Sequence, residues 1–212
     1  MDAIASGAIR GAVGIVGCSN PKVPLDTSNV GLAKRLIEND VLVIVTGCAA
    51  VANGKAGQML PSSASMAGPG LRAVCESLGI PPVLHMGSCV DNTRILVLAS
   101  ALAKHLGVDI HQLPLAGAAP EWYSEKAIAI GCYVVASGIT TVLGVQPPIF
   151  GSPKVVDLLA NGLEGAVGAK FAIEPDPEAA AILIRKHIEE KRKGLGLSYI
   201  EPSEIGAPVA AG

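Results

Sequence analysis

Three cysteines close apolar runs of strand character: Val13-Gly14-Ile15-Val16-Gly17-Cys18, Val43-Ile44-Val45-Thr46-Gly47-Cys48 and Val83-Leu84-His85-Met86-Gly87-Ser88-Cys89. A helical pattern comes after each run, which places each thiol where a strand turns into a helix. Neighbouring parallel strands lie roughly 4.8 Å apart, and ligands of open α/β sheets gather outside the carboxyl ends of the strands. Thiols on adjacent strands therefore converge on one site, and soft thiolates suit iron–sulfur, nickel or zinc chemistry. The cysteines are 30 and then 41 residues apart, far from the spacing of a local Cys-x-x-Cys knuckle. Only a folded sheet assembles such a site. The competing reading is plain packing, because a strand-end cysteine is often a small core residue.

The other reactive side chains carry weaker signals. Cys75 falls inside a short helix, and Cys132 lies six residues beyond Lys126, some 240° around the same helix; both read as core. Lys126 opens an otherwise uncharged helix, Lys126-Ala127-Ile128-Ala129-Ile130. It is either a solvated helix start or a cation aimed into a dry pocket, where it would stabilise an anionic intermediate. His85 reads as buried and satisfied, and His105, His111 and His187 as surface or loop residues. Gly, Ser and Asn come after the cysteines and suit anions at helix N-termini in a generic way. Neither G-x-G-x-x-G nor G-x-x-x-x-G-K-[ST] is present.

The elements that must position these residues emerge from pattern. Six runs rich in Val, Ile or Leu read as strands: Ala12–Val16, Val41–Thr46, Pro82–Met86, Ile110–Ala116, Thr141–Val145 and Lys170–Ile173. Helices fill the gaps: from caps at Asp26-Thr27-Ser28 through Glu38, over Gly70–Leu78, from Asp91 to Leu106, over Ser124–Ser137, and over Asp176–Lys193. This alternation predicts an α/β fold, a mostly parallel Rossmann-like sheet of about six strands with helices on both faces. Residues 1–197 read as one domain and 198–212, rich in Gly, Ala and Pro, as a flexible tail.

Composition agrees. The chain has 212 residues, half of them apolar but only 3% aromatic, with 25 glycines; slim residues favour tight helix-on-sheet packing. A formal net charge of −2 without a dense basic block argues against nucleic acid. Ala127 to Pro153 carries no charge, yet Ser137-Gly138, Thr140-Thr141 and Pro147-Pro148 break it into a helix, a strand and a turn, so no membrane span is expected. Five cysteines without a signal-peptide pattern point to a reducing compartment, by default the cytoplasm.

Four segments together resemble a known family: Gly14-Ile15-Val16-Gly17-Cys18-Ser19-Asn20-Pro21-Lys22, Thr46-Gly47-Cys48-Ala49-Ala50, Pro82-Val83-Leu84-His85-Met86-Gly87-Ser88-Cys89-Val90-Asp91-Asn92 and Ser124-Glu125-Lys126-Ala127-Ile128-Ala129-Ile130-Gly131. They are similar to the C-terminal part of anaerobic nickel–iron–sulfur carbon monoxide dehydrogenases. The ending Lys191-Arg192-Lys193-Gly194-Leu195-Gly196-Leu197 is similar to that family's C-terminus, so the likeness runs from about Ala3 to Leu197. Hybrid cluster proteins share the architecture but lack the His-Met-Gly-Ser-Cys-Val-Asp-Asn segment. The resemblance implies interconversion of CO and water with CO2, two protons and two electrons at a NiFe4S4-type cluster. It implies that Cys18 and Cys48 bind irons, Cys89 binds nickel, Lys126 faces the bound carboxylate and Ile130 crowds the CO pocket. It also implies a homodimer and an electron acceptor such as ferredoxin.

Family members carry a long N-terminal region with the remaining cluster ligands, the relay-cluster cysteines and a histidine chain for protons. Here 17 residues precede Cys18, none of them His or Cys. The expectation is a C-terminal domain that needs the missing N-terminal region or a second chain, is inactive alone, and is apo or partly metallated when isolated. The alternatives are a structural domain holding zinc or a simple iron–sulfur cluster through Cys18, Cys48 and Cys89, and an apo α/β domain with free thiols.

Overall fold

The structure is a computed structural model that describes residues 2–206. In chain order the elements are α1 (Asp2–Ala5), β1 (Gly11–Ile15), α2 (Thr27–Ile37), β2 (Val41–Thr46), α3 (Gly47–Lys55), α4 (Pro69–Leu78), β3 (Val83–Gly87), α5 (Asn92–Leu106), β4 (Leu115–Ala119), α6 (Glu125–Ala136), β5 (Thr141–Leu143), α7 (Pro153–Asp157), α8 (Leu163–Val167), β6 (Phe171–Ile173) and α9 (Pro177–Gly194). The six strands form one sheet in the order β3-β2-β1-β4-β5-β6, and every pairing is parallel. Strands such as Val-Leu-Val-Ile-Val-Thr are apolar along their whole length because helices cover both faces of the sheet.

On one face Val13, Ile15, Val43 and Val45 meet Leu32, Leu36 and Ile37 of α2 and Ile184 and Ile188 of α9, in the main core. On the other face Leu96, Ala99 and Ala103 of α5 form a smaller core with Leu113 and Ile139, against which Val134 of α6 packs. Burying a Leu or Ile side chain in such a core contributes about 1.5–3 kcal/mol. The second face is thinner. Gly14 leaves a gap that the Ile95 side chain of α5 reaches, and a cavity of about 70 Å³ runs between sheet, α5 and α6.

The structure moves the fourth strand. Ile110–Gln112 forms a 3-10 turn closed by a capping box between Asp109 and Gln112, and the strand begins only at Leu115. Leu-Ala-Gly-Ala-Ala has no β-branched residue, but it fits a crowded slot: a Cβ on Gly117 would lie 2.8 Å from Thr141 Oγ1 of the next strand. α3, α1, α7 and α8 add helices beyond the five expected. The uncharged Ala127–Pro153 stretch resolves into α6, β5 and turns, and among the described residues no helix is long and apolar enough to cross a membrane.

From Ser198 on, where the sequence reads as a tail, Ser198 O accepts from Arg192 Nε at 2.7 Å and Ile200 N donates to Glu189 at 2.9 Å. Ile205 is buried. The rest of that segment, residues 207–212, lies outside the described residues.

Candidate metal centre

β1, β2 and β3 are adjacent and parallel, so their carboxyl ends share one edge of the sheet. Each strand leaves the sheet through a glycine with positive φ: Gly17 (113°), Gly47 (59°) and Gly87 (130°). Side-chain-bearing residues rarely adopt such values, and here they turn the chain so that the cysteine comes next, or after Ser88. The three turns touch at Gly47. Cys48 N donates to Gly17 O at 3.1 Å, and a Cβ on Gly47 would stand 3.1 Å from Cys89 Cβ and 3.3 Å from Gly17 O.

The three turns lead into different structures. Cys48 lies in the first turn of α3 and Cys89 opens a 3-10 turn, Cys89–Asp91, that runs into α5. Cys18 does not enter a helix, contrary to the expectation from sequence. It begins a loop, and α2 starts nine residues later at Thr27. Asp26 occupies the N-cap position in a left-handed conformation (φ 65°) without capping through its side chain, which instead pairs with Lys55 of α3. The cap comes from afar. Buried Glu121 accepts from Ser28 N at 3.0 Å, Asn29 N at 3.1 Å and Asp26 N at 3.2 Å.

Buried amides and hydroxyls tie the turns together. Thr46 Oγ1 donates to Asn92 Oδ1 at 2.6 Å, joining the Cys48 turn to the Cys89 turn. Asn29 Nδ2 donates to the Cys18 carbonyl at 3.3 Å. Ser88 N and Ser88 Oγ both donate to Asp91 Oδ2, and these bonds hold the Asp91 carboxyl below its usual range, with Arg94 adding to the effect. Glu121 and Asn29 carry no sequence signal, because each acts across a distance in the chain; Thr46 stands in a family-like segment without a role that the sequence assigns. Asn92 belongs to one of the family-like segments, but nothing in the sequence gives it a role.

Lys126, the second residue of α6, is solvent-exposed yet points to the same edge: Nζ donates to Cys89 Sγ at 2.9 Å. That bond to Cys89 raises the ammonium above the usual lysine range, and the more distant Cys18 and Cys48 push it the same way. Cys18 Sγ lies 3.9 Å from Ser124 Oγ at the start of α6. Ile130, one turn beyond Lys126, lines the apolar cavity together with Cys18, Cys89 and Lys126.

Other expectations change. Cys75 is buried as expected, and burial pushes its thiol up, but Cys132 is exposed on α6. His85, in the middle of β3, is exposed rather than buried; β3 is an edge strand of the sheet and only Val83 of its residues is fully covered. His187 is a half-buried residue of α9 rather than a surface or loop residue, and burial first and Lys191 second push its imidazole down to about 4.

All five cysteines are free. Three free thiols on touching turns, with a lysine ammonium on one of them, are a donor set that fits a thiolate-bound cluster. Among the described residues, no group of three or more His, Cys, Asp or Glu side chains is gathered for a single metal ion.

The comparisons with known proteins place the chain in a family. A profile described as the Prismane/CO dehydrogenase family matches residues 1–178. Carbon monoxide dehydrogenase 1 of Methanosarcina mazei is 61% identical over 198 residues, 93% of this chain and 32% of the relative. Carbon monoxide dehydrogenase 2 of Carboxydothermus hydrogenoformans is 43% identical over 208 residues, covering 94% of this chain and 33% of its own length. The solved nickel-free carbon monoxide dehydrogenase of Thermococcus sp. AM4 superposes with a TM-score of 0.92 at 56% identity, over 93% of this chain and 31% of that one. The chain thus spans about a third of the length of these relatives. With the family profile across most of its residues and the same fold in a solved relative, the chain belongs to the Prismane/CO dehydrogenase family.

Proposed function

We propose that this stretch forms one wall of the nickel–iron–sulfur site of a carbon monoxide dehydrogenase, interconverting CO and water with CO2, two protons and two electrons. The observation that carries the reading is Lys126 Nζ on Cys89 Sγ at the edge where the three thiol turns meet. Cys18 and Cys48 would hold irons and Cys89 nickel, and the bound cluster would supply the two-electron redox chemistry. Lys126 would present a fixed positive charge to the carboxylate oxygens that carry negative charge as CO and water are interconverted with CO2. Ile130 closes the apolar cavity beside Cys18 and Cys89, a lining suited to a small uncharged gas and unfavourable to bulk water.

Three thiolates are too few to anchor such a cluster, so the further ligands come from another region of the protein or a second chain, and the 212 residues alone do not oxidise CO. In the assembled protein, a cytoplasmic homodimer, electrons leave to an acceptor such as ferredoxin. Zinc or a simple cluster in the same thiols is the second reading; against zinc, no three such donors are gathered for a single ion among the described residues.

The test is Lys126→Ala in an assembled enzyme carrying this stretch. CO-dependent dye reduction should fall by about 10² or more, while iron and nickel contents, measured anaerobically, stay near those of the parent. Near-parental turnover at full nickel occupancy would refute the role of Lys126. A colourless, zinc-loaded protein would refute the cluster.

A further inference from the structure

α2 begins without a cap of its own. Its N-cap residue Asp26 is left-handed and turned away towards Lys55, and the orphan N–H groups of the first turn go instead to Glu121, 92 residues downstream of Asn29. Glu121 is fully buried. A buried carboxylate is costly unless its oxygens are filled by donors, and here three backbone N–H groups at the positive end of a helix fill them. A local Ser or Asp would cap the helix at lower cost. What the distant carboxylate adds is a fixed distance between two parts of the site.

One part is the Cys18 turn. Asn29, whose N–H is held by Glu121, donates its side-chain amide to the Cys18 carbonyl. Asn20, two residues after Cys18 and buried, donates to the carbonyl of Trp122, the neighbour of Glu121, at 2.7 Å. Trp122 is itself anchored by Nε1 donating to Val145 O at 2.6 Å. The other part is α6, which starts four residues after Glu121 and carries Ser124 at its cap, 3.9 Å from the Cys18 thiol, and Lys126 in its first turn.

We propose that Glu121 is a positioning residue: through Asn29 and the start of α2 it sets the Cys18 thiol against the helix that carries Lys126. The proposal rests on the reading of Cys18 as a cluster ligand, but Glu121 touches neither thiol nor substrate. It acts on the backbone that presents the thiol.

The test uses the metal-free chain and its own cysteines as reporters. Native alkylation with iodoacetamide under argon, read site by site by mass spectrometry, compares the parent with Glu121→Gln and Asn29→Ala. Glu121→Gln keeps the volume but turns an amide N–H2 towards backbone donors. Cys18 should then react about tenfold faster, the size expected for losing a helix cap and opening the turn locally. Cys89 and core Cys75 should keep the parental rates, and Asn29→Ala should move Cys18 alone in the same direction by less.

An unchanged Cys18 rate would overturn the proposal. So would a parallel rise at Cys75, which would make Glu121 a determinant of global stability only. If Glu121→Gln failed to fold, Asn29→Ala would decide, since loss of its amide bond must still release Cys18 selectively. The experiment needs no metal, so its outcome is independent of whether the edge holds nickel and iron.

Discussion

The two ends of the sheet solve opposite problems. At the amino end, Arg192 of α9 is fully buried and donates to the carbonyls of Ser198 at 2.7 Å, Ile4 at 2.9 Å, Arg10 at 3.0 Å and Ile9 at 3.4 Å. Glu189, one turn earlier, pairs with Arg10 through both oxygens and accepts from Ile200 N. Arg192, Glu189 and Arg10 thus find their partners within the chain. At the carboxyl end the backbone is equally well bonded, but the three thiols are left half-buried or exposed, and their nearest side-chain partners are Lys126 and Ser124. The difference separates stability from chemistry. One end closes on itself, while the other fixes its backbone and leaves its side chains free for a ligand.

If that division is right, the largest stability effect belongs to the amino end. Arg192→Leu strands four carbonyls and half-empties a buried ion-pair network, at a cost of about 3–5 kcal/mol. Urea unfolding should show that loss, whereas the order of alkylation rates among Cys18, Cys48 and Cys89 in the still-folded fraction should not change. A reordering would show that the two ends are coupled.

Next in size is a pH effect from the same half of the molecule. His187, on α9, has its folded value pushed down to about 4 by burial, with Lys191 adding to it, Lys170 in the same direction, and the Leu115 backbone and Glu164 against. The unfolded imidazole takes its proton near 6.5. The unfolded state therefore binds the proton first, and stability is lost as pH falls from about 6.5 to about 4, by roughly 3 kcal/mol, with no further loss from this group below that. His187→Gln should flatten this window in urea midpoints taken across it; an unaltered slope would place the titration elsewhere.

The smallest of these effects belongs to the carboxyl end. Thr46→Val keeps the shape but leaves the buried Asn92 Oδ1 without its donor, costing about 1–3 kcal/mol. Unlike Arg192→Leu, it should quicken alkylation of Cys48 and Cys89 while Cys75 stays protected. Equal rates at all three would mean that the Thr46–Asn92 bond contributes stability without holding the turns.

How much of this is legible in the chain alone depends on the range of each interaction. β1, β2 and β3 announce themselves because each belongs to an apolar run that a glycine ends, so the placement of Cys18, Cys48 and Cys89 on one edge is legible. β4 is displaced from its expected place because its Ala and Gly side chains answer to the crowding of neighbouring strands, which no local pattern records. Lys126 stands out at the head of an uncharged helix, but the sequence leaves it open between solvent and a pocket and does not name the thiol it meets. Glu121 and Arg192 are invisible, since each is a charged residue whose burial depends on partners about 90 to 190 residues away. Cys132 departs from expectation because the helix rotation that turns it from Lys126 points it to solvent and not to the core.

The strand order also sets a timetable for synthesis on the ribosome. The thiol turns all come from β1, β2 and β3, which are contiguous in the chain as well as in space, so a nascent polypeptide lays down Cys18, Cys48 and Cys89 before any later strand exists. Lys126 comes 37 residues after Cys89, roughly 2–7 s of translation at ordinary elongation rates. During that interval the thiols are made, while the carboxylate that steadies Cys18 and the ammonium that meets Cys89 are still to come. The residues that meet the thiols are thus the last of this edge to be made.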